Sequence, residues 1–258
     1  MDTSLPLLKG KKGIVVGIAN ENSIAYGCAK EIHNAGAELL LGYGTEKSEP
    51  YIQPLLADLG NPDLVLCDVT DDEQLENLFQ HAKDKWGKID FLVHCIAFCP
   101  KDDLFGRVTD CSREGFKIAM DISCYSFIRM AHLAEPLMTD GGTLLTMTYY
   151  GSEKVVPNYN IMGPVKAALE SSVRYLANDL GPKGIRVHAL SPGPIKTRAA
   201  SGIDHFEALL NASAEHAPIQ QQVTIEDVGD VAVGMISDSA KSITGNIAYV
   251  DSGYHTLG

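Results

Sequence analysis

The stretch GIVVGIANENSIA, residues 13–25, decides the fold. A short apolar run ends at Gly17, and small and polar residues then lead to Ser23, where a segment of helical period begins. The first backbone N–H groups of such a helix have no partner within the helix, and small residues before it let a diphosphate approach. The spacing differs from the Gly-x-Gly-x-x-Gly fingerprint, so by itself the stretch fits either an anion site or a plain strand-to-helix turn.

Outward from this unit, short β-rich runs alternate with longer segments of helical period. This alternation predicts an α/β fold, a single Rossmann-type, doubly wound domain over residues 1–258 with a seven-stranded parallel sheet flanked by helices. Strands are expected near residues 13–16, 38–42, 63–67, 91–95, 142–148, 186–191 and 247–250. Helices are expected near residues 23–35, 71–86, 113–138, 159–180, 205–215 and 225–235. The long, proline-containing segment 192–222 is predicted to bind substrate, because connections of this length are usually functional.

The composition excludes several classes of protein. A formal net charge of −12 argues against a nucleic-acid binder, which usually carries a basic stripe. The sequence has neither a secretory leader pattern nor an apolar run of about 18 residues, so we expect no membrane association. Six scattered cysteines indicate a cytoplasmic protein with free thiols. Cys95 and Cys99 lack the second pair of ligands that a zinc site needs, so no metal is predicted.

The stretch YNIMGPVK, residues 159–166, carries the strongest chemical signal. If one helix holds both Tyr159 and Lys166, their side chains share a face two turns apart, and Gly163 between them leaves room for a flat ligand. A lysine cation close to the phenol favours its anionic form and makes it a better proton donor to a developing oxyanion. Pro164 disfavours the second turn of such a helix, so this geometry depends on where the helix begins.

Further side chains point to the same crevice. Tyr149 ends the fifth expected strand and Asp68 follows the third, and ligands of open α/β sheets bind beyond the carboxyl ends of the strands. Asp68 fits either the adenine of a dinucleotide or the N-cap of the next helix. Residues 41–47 offer neither the acid typical of NAD enzymes nor the basic run typical of NADP enzymes. NADH is therefore favoured as cofactor, and Lys47 leaves NADPH as the alternative.

Five motifs occur in a fixed order along the chain. They are Gly17-x5-Ser23-x-Ala25, Cys67-Asp68-Val69, Arg113-Glu114-Gly115-Phe116-Lys117, Tyr149-x9-Tyr159-x2-Met162-x3-Lys166 and Gly193-Pro194-Ile195-Lys196-Thr197. Together they resemble the short-chain dehydrogenase/reductase superfamily and, more closely, its divergent branch, the enoyl-acyl carrier protein reductases of type II fatty-acid synthesis. The resemblance spans nearly the whole chain.

This resemblance implies reduction, with NADH, of the trans-2 double bond of an enoyl-acyl carrier protein thioester by a homotetramer. Tyr159 would meet the enolate oxygen, Lys166 would hold the ribose hydroxyls, and Tyr149 would line the acyl end. The cofactor groove would be formed by Gly17, Ser23, Ile24, Gly44, Asp68, Val69, Ile96, Lys166, Ile195 and Thr197. The substrate would contact Cys99, Tyr149, Met162 and Phe206.

Two departures from the family pattern carry expectations of their own. Residues 204–208 read DHFEA where family members commonly place basic residues, so Asp204 and Glu207 should weaken the docking of an acidic carrier protein. Ala97 and Cys99 stand where the family tends to have glycine and alanine, and they should narrow the pocket slightly.

Two other functions compete with enoyl reduction. An ordinary carbonyl reductase of the same superfamily needs a serine-type hydroxyl before the tyrosine, and Thr146 or Thr148 could supply one. A non-catalytic NAD(P)-binding protein is the second alternative, since Pro164 and the acidic residues at 204–208 both depart from what catalysis and docking require.

Overall fold

The computed structural model describes residues 6–197 and 206–257, except for the side chains of residues 206, 208 and 212. Within these ranges seven strands form one sheet in the order β3-β2-β1-β4-β5-β6-β7, and every neighbouring pair is parallel. The strands are β1 (Lys12–Val16), β2 (Glu38–Tyr43), β3 (Asp63–Leu66), β4 (Phe91–His94), β5 (Gly142–Met147), β6 (Ile185–Pro192) and β7 (Ile247–Val250). The predicted seven-stranded parallel sheet is confirmed.

The predicted helices occur in the predicted order, and the described residues add two short helices that were not predicted, Glu49–Ile52 and Lys101–Leu104. The helices are α1 (Ile24–Asn34), α2 (Glu49–Ile52), α3 (Asp72–Trp86), α4 (Lys101–Leu104), α5 (Arg113–Met120), α6 (Ser126–Ala134), α7 (Met162–Leu180), α8 (Phe206–His216) and α9 (Ile225–Ile236). The helix expected over 113–138 is divided, because a π-helical turn at Asp121–Tyr125 joins α5 to α6. The helix expected from residue 159 begins only at Met162.

Each face of the sheet buries its own apolar core. Successive side chains of a strand point to opposite faces, so Ile14 and Leu144 pack against α3, α6 and α7, whereas Val15 and Leu145 pack against α1 and α9. Central parallel strands covered on both faces are apolar on both, which is why these strands lack a polar alternation. The doubly wound arrangement is the one predicted.

The strand order changes direction between β1 and β4. Strands β2 and β3 follow on one side of β1, while β4 to β7 follow on the other, so a crevice opens beyond the carboxyl ends of β1 and β4. Ligands of doubly wound sheets bind at such a switch point. Within the described ranges, none of the helices combines the length and the apolar character needed to cross a lipid bilayer.

Candidate active site

The crevice begins at Gly17, the first residue after β1. Gly17 has a φ of 98°, and a Cβ there would collide with the backbone carbonyl of Cys95, just after β4. Only glycine adopts this conformation without strain and allows so close an approach of two backbones. The floor of the crevice is therefore backbone, which lets a flat or charged ligand approach closely.

The loop between β1 and α1 leaves the start of the helix open. Ser23 occupies the N-cap position, but its hydroxyl donates a hydrogen bond to the Asn20 carbonyl at 2.6 Å and makes no capping bond to α1. A serine before a helix commonly caps it, but here the Ser23 side chain is used within the loop. Among the described residues, the first turn of α1, which begins at Ile24, contains no acid. Its N–H groups and dipole thus fit the diphosphate of a dinucleotide.

The loop after β3 decides between the two interpretations of Asp68, as a residue that binds adenine or as the N-cap of the next helix. Asp71 is the N-cap of α3 and accepts hydrogen bonds from the backbone N–H groups of Glu73 and Gln74. Asp68 instead accepts from the backbone N–H of Thr70 at 3.0 Å and from its hydroxyl at 2.8 Å. Asp68 is not the helix cap, and it remains an exposed acid at the rim of the crevice.

The other predicted groove residues follow the carboxyl ends of four strands. They are Gly44 after β2, Val69 after β3, Ile96 after β4, and Ile195 and Thr197 after β6. A Cβ at Gly44 would meet no atom within 4 Å, so space is open there. Because the carboxyl ends of parallel strands meet at one edge of the sheet, the structure places these residues along the same side as Gly17.

Tyr159 lies in a turn that precedes α7. Its neighbours Asn158 and Asn160 have φ values of 64° and 45°, in the left-handed region that asparagine tolerates better than most residues. The amide of Asn160 also donates a hydrogen bond to the Leu104 carbonyl at 2.7 Å, which anchors the turn to α4. Tyr159 is outside the helix that carries Lys166, so the prediction of a shared helix face is wrong.

The late start of α7 explains why the helix tolerates a proline at position 164. With Met162 as the first helical residue, Pro164 lies in the first turn, where a backbone N–H has no partner within the helix. The proline therefore neither kinks nor interrupts α7. A Cβ at Gly163 would lie 2.9 Å from the Gly151 carbonyl. Gly163 thus makes room for a neighbouring loop and not, as predicted, for a ligand.

Tyr149 and Tyr159 form the polar wall of an apolar cluster. Their ring centroids are 4.8 Å apart with an interplanar angle of 66°, an edge-to-face contact. Tyr159 is 8% exposed and Tyr149 is half-buried. The same cluster contains Cys99 and Met162, so three of the four predicted substrate residues come together with Tyr159.

Helix α8 supplies another side of this cluster. Leu209 packs against it, although the sequence analysis did not single out this residue. In the sequence, Leu209 is marked only as an apolar residue within the long segment 192–222. Phe206 begins α8, but its side chain is outside the described part of the structure, as are residues Asp204 and His205.

Lys166 is buried at 4% exposure beneath the tyrosine pair. Its Nζ donates a hydrogen bond to the Met147 carbonyl, the last residue of β5, at 2.7 Å. Burial lowers the pKa of Lys166 to about 8, while Cys124, Cys95 and Glu170 act in the opposite direction. At neutral pH the side chain is therefore still largely cationic.

The pKa of Tyr159 moves in the direction opposite to the prediction. Burial raises it above the ordinary value for tyrosine, and Tyr149 and Glu170 raise it further. The Lys166 Nζ donates instead to the Met147 carbonyl. The phenol of Tyr159 therefore stays protonated and is able to donate a hydrogen bond.

The two threonines considered for carbonyl reduction are engaged elsewhere. The Thr146 hydroxyl lies 2.9 Å from Nδ1 of His94 on β4, and the Thr148 hydroxyl donates to Glu170 on α7 at 2.6 Å. All four side chains are buried. Neither threonine takes the place of the serine-type hydroxyl that a carbonyl reductase needs beside its tyrosine. The sequence alone did not single out His94 and Glu170. Each is marked there only as an ionisable residue within an apolar element.

Comparison with known proteins identifies the family to which this chain belongs. The family model described as enoyl-(acyl carrier protein) reductase matches residues 17–255. The chain belongs to this family. It is therefore an oxidoreductase of the enoyl-acyl carrier protein reductase type, and the crevice beyond β1, β4 and β5 is its candidate active site.

Individual relatives agree with the family assignment over nearly their full length. The enoyl-[acyl-carrier-protein] reductase [NADH] 1 of Rhizobium meliloti is 51% identical over 98% of this chain and 93% of its own. The Anaplasma phagocytophilum reductase, solved in complex with NAD, has a TM-score of 0.95 and 47% identity, covering 100% of this chain and 98% of that one. The Bacillus cereus enoyl-acyl carrier protein reductase, solved with NADP+ and an indole naphthyridinone, has a TM-score of 0.95 and 48% identity, covering 98% and 99%.

Proposed function

We propose that this protein reduces the trans-2 double bond of enoyl-acyl carrier protein thioesters with NADH in type II fatty-acid synthesis. The observation that carries this proposal is the edge-to-face pair of Tyr149 and Tyr159 on an apolar cluster. A ketone reductase has no need of the second tyrosine. The buried hydroxyls of Thr146 and Thr148 support the same choice, since both are already bonded to other side chains.

Each residue of the site has its own role in the proposed reaction. NADH, when bound, supplies the hydride that adds to the β-carbon of the acyl chain. Tyr159 donates a hydrogen bond and then a proton to the oxygen of the resulting enolate, for which its protonated phenol is suited. Lys166 holds the ribose hydroxyls, and Tyr149 lines the acyl end of the pocket. Cys99, Met162 and Phe206 are proposed to contact the acyl chain.

The cofactor is proposed to lie along the edge where the strands end. Gly17 provides close backbone approach, and the open start of α1 faces the diphosphate. The remaining proposed contacts are Ser23, Ile24, Gly44, Asp68, Val69, Ile96, Ile195 and Thr197. Their common position beyond the carboxyl ends of β1 to β4 and β6 supports this assignment.

We further propose one catalytic domain over residues 1–258, with the segment 192–222 binding substrate, assembled as a homotetramer in the cytoplasm. An exposed face of α6 and α7 supports assembly, because Ile128 and Tyr175 there line a cavity of about 390 Å³ and Tyr175 is 71% exposed. The cysteines in the described ranges are all free thiols, as is usual in the cytoplasm.

An assay of four reactions tests the proposed function. The oxidation of NADH and of NADPH is followed separately with a crotonyl thioester and with a ketone. We expect turnover of the thioester with NADH and, with NADPH, a kcat/KM lower by about tenfold or more. Faster turnover of the ketone would favour the carbonyl reductase. Binding of NADH without any turnover would favour the non-catalytic protein.

The charge at the start of α8 leads to a prediction about the carrier protein. Glu207 is exposed and forms an ion pair with Lys196 at 2.7 Å, so it neutralises a positive charge within the segment 192–222. We expect Glu207→Lys to raise kcat/KM for an acyl carrier protein substrate about threefold or more at low salt and to have little effect at high salt, since surface attraction is screened. Steady-state kinetics at two ionic strengths measures this.

A matched control uses the same charge change on the same helix. Glu215→Lys, at the other end of α8, should change kcat/KM for the carrier-protein substrate much less. Neither substitution should alter kcat/KM for a small crotonyl thioester. An unmodified enzyme whose KM for carrier protein is as low as that of a homologue with a basic α8 would contradict the prediction of weakened docking.

A further inference from the structure

The carboxyl end of β5 is held by four contacts from three parts of the fold. The contacts, in chain order, are Thr146 with His94 on β4, Met147 with Lys166 on α7, Thr148 with Glu170 on α7, and Tyr149 with Tyr159 in the turn before α7. Two of these contacts involve residues with a proposed role in the reaction, namely Lys166 and the pair of Tyr149 and Tyr159. The other two have no such role, and of these the contact between Thr148 and Glu170 lies directly between the two that do.

Glu170 is a buried acid next to the reaction centre. Its side chain is 5% exposed, and its Oε1 accepts a hydrogen bond from the Thr148 hydroxyl at 2.6 Å, a length typical of a charge-assisted bond. The backbone N–H of Thr148 donates in turn to the Leu190 carbonyl of β6 at 2.8 Å. Thr148 is thus fixed on two sides, directly between Met147 and Tyr149.

Glu170 also shares a helix face with Lys166. The two residues are four positions apart on α7, so their side chains lie one turn from each other, and both reach the end of β5. A buried carboxylate and a buried ammonium are each costly, and each reduces the cost of the other.

We propose that Glu170 is a positioning residue for the reduction. Through Thr148 it fixes the segment that carries Tyr149 and the carbonyl acceptor of Lys166, and its negative charge balances the cation of Lys166. This inference rests on the proposed roles of Tyr159 and Lys166. Glu170 touches neither substrate nor cofactor in this assignment and acts through other residues.

The charge balance predicts a change in pH dependence. The titratable groups that face Lys166 are His94 and Cys95 of β4, Cys124 of the turn between α5 and α6, and Glu170 of α7. Burial lowers the pKa of His94 to about 3, so its ring is neutral at the working pH. Cys124, Cys95 and Glu170 oppose the lowering of the Lys166 pKa, in that order, and Glu170 is the carboxylic acid among them.

The test compares variants of Glu170 and Thr148 in the full-length enzyme. Lys166 is charged below its pKa and loses its charge as the pH rises, so Glu170→Gln should shift the basic limb of kcat/KM to lower pH by about one unit. Thr148→Val should lower kcat/KM with crotonyl thioester about tenfold, whereas Thr148→Ser, which keeps the hydroxyl, should stay within about threefold of the unmodified enzyme.

Thr143→Val is the matched control, because Thr143 is buried on the same strand but at its opposite end. It should leave kcat/KM unchanged. The proposal is overturned if Thr148→Val behaves like Thr143→Val, or if the basic limb of a folded Glu170→Gln enzyme stays in place. If Glu170→Gln does not fold, the kcat/KM values of Thr148→Val and Thr148→Ser decide whether the proposal holds. If the variants of Tyr159 and Lys166 are inactive but the basic limb of Glu170→Gln stays in place, only the role of Glu170 is overturned. The proposed function then stands.

Discussion

Replacing Tyr159 by phenylalanine is expected to lower kcat about a hundredfold while leaving the affinity for NADH unchanged. A positioned general acid contributes about a hundredfold or more to a proton transfer, and this substitution removes only the phenolic hydroxyl. The ring remains to pack against Tyr149 at 4.8 Å, so the apolar cluster around it should keep its shape. Single-turnover kinetics with crotonyl thioester and NADH fluorescence titration measure the two quantities separately.

Tyr51→Phe provides the matched control for this prediction. Tyr51 lies on α2 and is 63% exposed, so removal of its hydroxyl should change neither kcat nor NADH affinity. A Tyr159→Phe enzyme that keeps the full kcat would show that another group donates the proton. A protein that binds NADH equally well in both forms and never turns over would be a binding module.

Replacing Lys166 by methionine is expected to reduce both NADH affinity and kcat/KM by about a hundredfold or more. Methionine fills nearly the same volume, so the change removes the charge and its hydrogen bonds without leaving a large cavity. The Met147 carbonyl then loses its donor at 2.7 Å, and the ribose hydroxyls lose the cation proposed to hold them. Calorimetric titration with NADH and steady-state kinetics measure the two losses.

The loss should be specific to this buried lysine. Lys154→Met removes a lysine charge from the exposed loop before Tyr159 and should leave NADH affinity and kcat/KM close to those of the unmodified enzyme. Circular dichroism should show that both variants are folded. A Lys166→Met enzyme that binds NADH normally would contradict the proposed contact with the ribose.

The order and type of the main elements could be predicted because their signals are local. Alternating apolar runs and helical periods predicted each strand of the sheet to within about two residues, and α9 begins at a capping box of Thr224 and Asp227. Spacing and position indicated the two tyrosines and Lys166, and the family motifs added their roles and most of the groove residues. These signals lie within short segments, where chain geometry alone relates spacing to structure.

The start of α7 could not be predicted from periodicity. The apolar pattern runs back to residue 159, but Asn158 and Asn160 adopt left-handed conformations and Pro164 fits only the first turn of a helix. The hydrogen bond from Asn160 to the Leu104 carbonyl joins residues 56 positions apart and helps to fix this turn. A tertiary contact therefore decided where the helix begins and how Tyr159 is presented.

By itself, the sequence determined a doubly wound parallel sheet, and it predicted a dinucleotide crevice after β1 and a reaction centre with Tyr159 and Lys166. The tertiary structure alone decided that the phenol is held outside the helix and kept protonated, and that Lys166 reaches the end of β5. It also paired Thr148 with Glu170, 22 positions apart. The physical reason is that pKa values and hydrogen-bond partners depend on burial and on neighbours distant in the chain, which no local spacing encodes.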